Sequence, residues 1–418
     1  MTKFSVLCIY PPSIPIYFNA GHHLPVWETG AYLRREIEDC QVDIVDAGVL
    51  NYSWKEILDI ICNRYDLICI LNEYDNVDGL RRMVEYSRLV SPTTKIITFG
   101  RASGIIPKFF FNYSVDAIVK DGDFECGVLE YIRFLRGEKS MLSLSGLYLL
   151  QDGSYITTKL GQFLDAGLWA FPPCEELPLD EYARISSRPE NRFSALPGLK
   201  ELTVSVARGC PIGCDYCLVP KYQGVIERRR SVESVIEYIK RCMTVINFDY
   251  VSMYAPTFTL KKNWTFEFCE AISKLNIKWK CCTSIKHLSK ELIEVMAKSG
   301  CVRISVGLET LDEMAKQSLP KIKQIQDDQI RLLSEWCKNN NVELNCFVIV
   351  GMPNQTNSGL LHTFNFLTSI GAKIRPTVYT PYHTLSDSVS ENDLSLFFTR
   401  QITKSKQISY SDNELTVQ

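Results

Sequence analysis

Histidine is scarce in this chain, five among 418 residues, and none joins a serine and an aspartate in a hydrolytic triad. A Walker A loop and a paired-carboxylate site are missing too, so hydrolysis and phosphoryl transfer have no visible machinery. Charge of one sign is also lacking. Forty-six Lys and Arg face 48 Asp and Glu, a formal net charge of −2, which argues against a nucleic-acid surface working mainly through charge. The only tight basic run is Arg228-Arg229-Arg230, expected as a solvated segment leading into a helix. No apolar run approaches the ~20 residues needed to cross a bilayer. The first twelve residues show no basic, cleavable leader. The expectation is a cytoplasmic protein with no membrane and no nucleic-acid partner, long enough for two to three domains.

Cysteine, by contrast, is plentiful: 16 residues. That number fits a reducing compartment, with most of them acting as small buried apolar residues. Three differ. Cys210, Cys214 and Cys217 follow the alternating stretch Glu201 to Val206 in a C-x3-C-x2-C run, placing three thiolates on one tight loop. Zinc would want a fourth ligand from a second C-x2-C pair, and none lies near. A disulfide would leave an odd thiol. Three thiolates suit three irons of a [4Fe–4S] cluster, with the fourth iron open to bind and cleave something. Gly209 and Gly213 allow the loop to close tightly.

This arrangement resembles the radical S-adenosylmethionine (radical SAM) superfamily, in which the open iron takes the amino and carboxylate groups of SAM. The resemblance implies a 5′-deoxyadenosyl radical, with Tyr216 beside the adenine.

The first ~140 residues alternate short apolar strands with amphipathic helices, the pattern of a parallel sheet covered on both faces. They resemble the cobalamin-binding domain of class B radical SAM enzymes. The points of match are Tyr10-Pro11-Pro12, Gly21-His-His-Leu-Pro25, Asp43-Ile-Val-Asp46-Ala47 and Asp121-Gly-Asp-Phe-Glu125. The resemblance implies cobalamin contacts at Pro12 and Gly100. Two departures stand out: the D-x-H-x-x-G motif that supplies a cobalt-ligating histidine is absent, and Gly100-Arg101 replaces a Gly-Gly pair. Arg101 would there crowd the corrinoid or meet its phosphate.

Residues 141–199 read as a connector, with a hairpin turning at Asp152-Gly153 and an extended, proline-rich crossing. Residues 200–385 alternate again, six βα units suggesting a partial (β/α)6 barrel with active groups at the strands' carboxyl ends. Residues 386–418 read as a polar tail. The fold class is therefore α/β: a Rossmann-like, flavodoxin-type domain followed by a partial radical SAM barrel. The first helix is expected from Trp27 to Glu38.

On the barrel, the resemblance implies SAM contacts at Ala255 and Thr257 after the second strand and at Ser284 after the third, where relatives often carry arginine. It also implies them at Glu309 in a Gly-x-Glu after the fourth strand and at Gly351 after the fifth. Glu309 could equally orient Arg303 or a lysine, and the Gly351 turn could simply start a helix. Tyr382 and His383 end the last strand and could face substrate.

The resemblance implies hydrogen abstraction from an unactivated carbon of a small molecule, with electrons from a flavodoxin- or ferredoxin-like donor. If cobalamin is bound, the reaction implied is C-methylation of a natural-product intermediate. Without it, radical dehydration of a diol such as an aminoglycoside-type sugar is the alternative. A tRNA methylthiotransferase would need a second cysteine triad and a basic C-terminal module, neither evident. A corrinoid or iron sensor would cap all four irons or carry a DNA-binding helix pair.

Overall fold

The computed structural model describes residues 3–12, 19–74, 76–188, 195, 196, 198–394, 408–411 and 414–417. Contacts divide the chain into two units: Met1–Gly198 with Lys221–Gly224 and Thr384–Phe398, and the remainder.

The first unit is built on a seven-stranded sheet. Its elements run β1 (Phe4–Tyr10), α1 (Ala20–Glu36), β2 (Cys40–Asp46), α2 (Trp54–Ile61), β3 (Leu67–Asn72), α3 (Val77–Val90), β4 (Lys95–Gly100), β5 (Ala117–Val119) and α4 (Phe124–Leu135). A hairpin, β6 (Leu147–Gln151) and β7 (Ser154–Thr157), and the helix α5 (Leu179–Ser186) follow. The strand order is β2-β1-β3-β4-β5-β6-β7, with β1 to β5 parallel and the hairpin added antiparallel on β5. Every residue of β3 is buried, as a central strand covered on both faces requires. Asp152 and Gly153 both take left-handed φ, 49° and 79°, which is what a two-residue hairpin turn demands.

The first helix starts at Ala20, seven residues before the expected Trp27. Asn19 caps it, its side chain accepting from the Gly21 amide at 2.9 Å, and the helix runs through Pro25. Proline inside the helix disguised its opening turns. Segments of the expected connector pack back on this unit. Tyr182 of α5 donates to Asp46 Oδ2 at 3.1 Å and accepts from Trp27 Nε1 at 3.0 Å; His23 Nδ1 lies 2.8 Å from the same carboxylate. Asp123 accepts from Trp169 Nε1 at 3.2 Å.

The second unit contains a six-stranded parallel sheet in which strands that follow one another along the chain are neighbours throughout. Its elements are β8 (Glu201–Ser205), β9 (Ala207–Arg208), α6 (Val219–Gln223, which spans the division between the units), β10 (Arg228–Arg229), α7 (Val232–Val245), β11 (Tyr250–Tyr254), α8 (Lys262–Ser273) and β12 (Lys278–Thr283). Then come α9 (Lys290–Lys298), β13 (Cys301–Glu309), α10 (Glu313–Lys316), α11 (Asp327–Asn339), β14 (Glu343–Val350), α12 (Asn357–Ser369) and β15 (Lys373–Val378). A C-terminal hairpin, β16 (Ile408–Ser411) with β17 (Glu414–Val417), lies in the expected tail. Residues 395–407 of that tail lie outside the described residues.

Alternation sorts the strands into two faces. One face is apolar and meets the helices. Trp279 of β12 is fully buried and packs edge-on to Phe268 of α8 at 5.3 Å. The other face is concave and polar. Lys280 Nζ lies 2.5 Å from Glu201 although β11 separates their strands, so this pair crosses the hollow. Arg303 pairs with Glu343, and Asn345 Nδ2 donates to Ser305 Oγ at 3.1 Å. Burial holds the Lys280 ammonium below its usual range against the pull of Glu201. Closed (β/α)8 barrels fill this space with branched apolar side chains; this one lines it with charge.

Candidate active site at the barrel mouth

The cluster loop leaves β8 through β9. Gly209 and Gly213 take φ of 86° and 71°, a left-handed conformation that side-chain-bearing residues rarely adopt. Those two turns bring the three cysteines together. Cys210 and Cys214 are 9% exposed, Cys217 is half-buried, and its amide donates to the Cys214 carbonyl at 3.0 Å. All three are free thiols. Burial, reinforced by the neighbouring thiols, pushes Cys217 up to about 11 and raises Cys214 as well, so metal binding must release their protons. Among the described residues no three His, Cys, Asp or Glu side chains gather as a single-ion site. Three soft thiols on one loop are the donor type that the separate irons of a cluster take.

β9 pairs antiparallel with β10, matching Arg228 to Arg208 and Arg229 to Ala207. This corrects the solvated reading of the arginine run. Arg230 is 3% exposed, and Arg229 forms an ion pair with Glu227 at 2.8 Å in which the side chains are 1% and 4% exposed. The fork of Arg229 also donates to the carbonyls of Thr257 (3.1 Å) and Phe258 (2.7 Å), and its guanidinium lies 4.7 Å from the Trp264 ring. Arg229 thus fixes the segment Ala255 to Thr257, both of whose named residues are buried.

Glu309 ends β13 beyond a bulge at Gly307, with φ of 68°. Its carboxylate meets Lys323 Nζ at 3.1 Å, and Lys323 also donates to the Gly307 carbonyl at 3.2 Å. A lysine, not Arg303, is therefore its partner. Burial alone would lower the Lys323 ammonium, but Glu309, with the thiols of Cys214 and Cys282, raises it. Burial, with the nearby Glu309 and Cys214, pushes the Tyr216 hydroxyl far up. The Tyr216 ring packs on a cluster of Ala315, Leu319, Ile349 and Met352.

The other expected residues are placed as follows. Ser284 is 2% exposed and its Oγ has no hydrogen-bond partner. Gly351 has φ of 83°, and its amide donates to Gln355 Oε1 at 2.6 Å, closing the turn before α12. Tyr382 and His383 open the 3-10 turn Tyr382–Thr384 after β15; the side chain of His383 lies outside the described residues. In the first unit, a Cβ on Gly100 (φ 148°) would stand 2.0 Å from the Asn72 carbonyl, so the backbones of β3 and β4 approach there. Pro12 follows β1. Arg101 does not stand ready for a phosphate: it pairs with Glu73 at 2.6 Å and lies 3.2 Å from His22 Nε2.

Sequence reasoning missed Lys323, His287, Arg229 and Asp312. Asp312 follows the Gly-x-Glu and accepts from four donors: the Thr356 amide and hydroxyl at 2.7 and 2.6 Å, and the amides of Met314 and Ala315 at 2.8 and 3.0 Å. Its position just ahead of a helix, as an N-cap, was the available signal.

Residues 204–367 match the Radical SAM superfamily. Bacteriochlorophyllide d C-12(1)-methyltransferase of Chlorobaculum tepidum is 22% identical over 214 residues, 49% of this chain and 46% of that protein. The radical SAM methyltransferase TsrM of Kitasatospora setae, solved with tryptophan and a SAM analogue, superposes with a TM-score of 0.73 at 14% identity, over 91% of this chain and 75% of that one. The cobalamin-dependent SAM radical enzyme OxsB, with aqua-cobalamin and SAM bound, gives 0.69 at 16% identity, over 97% and 56%. The chain spans less than half the length of the first curated relatives it matches. The chain carries a radical SAM domain. Its fold, a Rossmann-like unit ahead of a partial barrel, is that of TsrM and OxsB.

The residues present fit the groups that fold implies. The thiols suit a cluster. The unmet Ser284 hydroxyl at the barrel mouth suits a polar ligand. In the first unit, the switch point of a 2-1-3-4-5 sheet lies between β1 and β3, and there Asn76 is 2% exposed with neither amide atom bonded, its Oδ1 beside Gly79 and Pro11.

Proposed function

We propose that this protein is a radical SAM enzyme that methylates an unactivated carbon of a small molecule with the help of cobalamin. The observation that carries the reading is the trio Cys210, Cys214 and Cys217, three free thiols on one loop after β8. When bound, a [4Fe–4S] cluster with one open iron supplies the electron that splits the carbon–sulfur bond of SAM, and a corrinoid supplies a methyl carrier. The chain supplies the rest. The cysteines hold the cluster, Arg229 fixes the Ala255–Thr257 segment, and Glu309, locked by Lys323, offers one remaining oxygen to a hydroxyl donor. The paired charges of the hollow orient a polar substrate and leave few waters to quench a radical. Methyltransferases among the relatives and the likeness to TsrM support methylation, and the likeness to OxsB, a cobalamin-dependent SAM radical enzyme, supports the corrinoid. An external one-electron donor of the flavodoxin or ferredoxin kind completes the scheme.

One observation favours a second reading, radical dehydration without a corrinoid. Arg101, Glu73 and His22 meet at the carboxyl ends of β3 and β4, on the rim where a corrinoid would dock.

The test is anaerobic reconstitution with iron and sulfide, then SAM and reductant. Formation of 5′-deoxyadenosine is expected from the wild type and not from Cys214→Ala. A corrinoid absorption band that survives desalting after incubation with hydroxocobalamin supports methylation; its loss, with 5′-deoxyadenosine still formed, supports dehydration. Product mass then rises by a methylene or falls by a water.

A further inference from the structure

Strand alternation puts Arg375 on the concave face of the barrel sheet. Asn345 of β14 bonds Ser305 of β13 on that face, Phe347 lies two residues on, and Arg375 of β15 is the register partner of Phe347. The guanidinium lies 5.0 Å from the Phe347 ring, and its charge acts on Lys280 and Cys282 of β12, three strands away. Arg375 therefore reaches into the hollow.

Charge on that face does not balance. Apart from Lys278, exposed at the start of β12, it carries four cations, Lys280, Arg303, Lys373 and Arg375, and two carboxylates, Glu201 and Glu343. Both carboxylates are already engaged through both oxygens. Glu201 takes Lys280 at 2.5 Å, Thr203 at 2.9 Å and the Tyr250 hydroxyl; Glu343 gives one oxygen to Arg303 and the other to Lys373 at 2.6 Å. At the rim, Lys323 with Glu309 and Arg229 with Glu227 each cancel. The face therefore keeps an excess of positive charge, a field that draws in an anion. Burial first, then Arg303 and Arg375, hold the Lys280 ammonium down against the pull of Glu201. Position selects one cation of the four. Lys280 and Arg303 are buried two layers below the row of Gly307, Phe347 and Arg375, and Lys373 is 60% exposed, where water screens it. Arg375 is half-buried near the carboxyl ends of the strands, where active groups gather in such folds.

We propose that the substrate carries an anionic group, a carboxylate or a phosphate, and that Arg375 binds it inside the barrel. This rests on the radical SAM reading above and names the substrate class of that site. A planar guanidinium takes two oxygens of either group at once, which a lysine cannot do.

The test is a set of thermal melts on the anaerobically reconstituted full chain in acetate, in phosphate and in chloride at equal ionic strength. Wild type, Arg375→Met and Lys373→Met are compared, each against its own melt in chloride, so that a general change in stability cancels. Acetate or phosphate should raise the Tm of wild type and of Lys373→Met, and Arg375→Met should need about tenfold more anion for the same rise, as for the loss of one charge-assisted pair. The anion that acts at the lower concentration names the group. Arg375→Lys keeps the charge without the fork; it should fall between the two, and it decides the matter where Arg375→Met does not fold. No response in wild type, an equal response in Arg375→Met, or an equal loss in Lys373→Met overturns the proposal. The methionyl carboxylate of SAM is the competing anion. In equilibrium dialysis Arg375→Met should bind SAM as the wild type does; a loss for SAM but not for decarboxylated SAM would give Arg375 to the cofactor and overturn the substrate class. A wild type that carries its cluster yet binds no SAM sinks the radical SAM reading instead, and the anion melts then judge Arg375 alone.

Discussion

Lys323 and Glu309 meet at 3.1 Å across the end of β13, with 11% and 7% of their side chains exposed. The lysine comes from a turn fourteen positions later, and it ties the bulged end of the strand to the loop over the barrel mouth. A Cβ on Gly307 would stand 2.5 Å from both Lys323 Nζ and Glu309 Oε1, so any larger residue there makes the pair shift.

Breaking that pair from one side should cost more than removing both members. Glu309→Gln leaves the ammonium buried without its counter-charge and should destabilise the barrel by about 3 kcal/mol, while the double variant Glu309→Gln with Lys323→Met recovers much of that. Urea unfolding of the two single variants and the double variant gives the coupling energy directly. Additive losses would show that the two charges do not sense each other.

Gly307 and Gly351 make a contrast. Gly307→Ala drives a methyl into the ion pair and should lower both Tm and SAM affinity. Gly351 also has left-handed φ, but a Cβ there would meet nothing within 4 Å. Gly351→Ala should therefore cost only the strain of its backbone, about 1 kcal/mol, and spare SAM affinity. Loss of SAM affinity in Gly351→Ala would mean that a ligand, not protein, fills that open space.

Much of this architecture was legible because burial on two faces writes itself as short apolar runs. The strand Glu343–Val350 and the cysteine loop were read at their true positions for that reason. The charged hollow was harder. Lys280 and Glu201 lie two strands apart, and no local pattern announces a pair that forms only when the sheet curls. The arginine run misled because three consecutive cations look solvated, yet Arg229 finds Glu227 two residues earlier and two carbonyls on β11's exit loop. Lys323 sits among other lysines in a polar turn, so its burial was invisible until the turn folded back over Glu309.

Asp312 gives the pH dependence. Burial would raise its carboxyl, but the hydrogen bonds from Thr356, Ala315 and Met314 outweigh it and hold the group below its usual range. A depressed native value means stability that is complete above the unfolded value of about 3.9 and is lost as pH falls through the native one. Asp312→Ala should thus cost about 3 kcal/mol near neutrality, as a lost helix cap plus the Thr356 bonds. The gap from wild type should narrow in acid. Urea midpoints at pH 7 and pH 3 check it; a gap of constant size would assign the loss to packing against Gly359, whose Cβ position lies 1.9 Å from Asp312 Oδ2.

Arg229→Lys tests whether the arginine run shapes the active site. Lysine keeps the charge but not the fork, so it cannot serve Glu227 and the carbonyls of Thr257 and Phe258 together, nor stack on Trp264 as a planar group. At least one buried acceptor goes unmet, worth about 1–3 kcal/mol, and the Ala255–Thr257 segment loses its tether. Stability should fall by that amount and SAM affinity should fall with it, since this segment ends the strand next to the cluster loop. Glu227→Gln removes the ion pair while leaving the Arg229 bonds to both carbonyls in place. It should lower stability without a matching loss of SAM affinity. Measured side by side by urea unfolding and equilibrium dialysis, the two variants separate the charge from the tether. Were Glu227→Gln to weaken SAM binding as much as Arg229→Lys, the ion pair itself, not the grip on the loop, would be what the site requires.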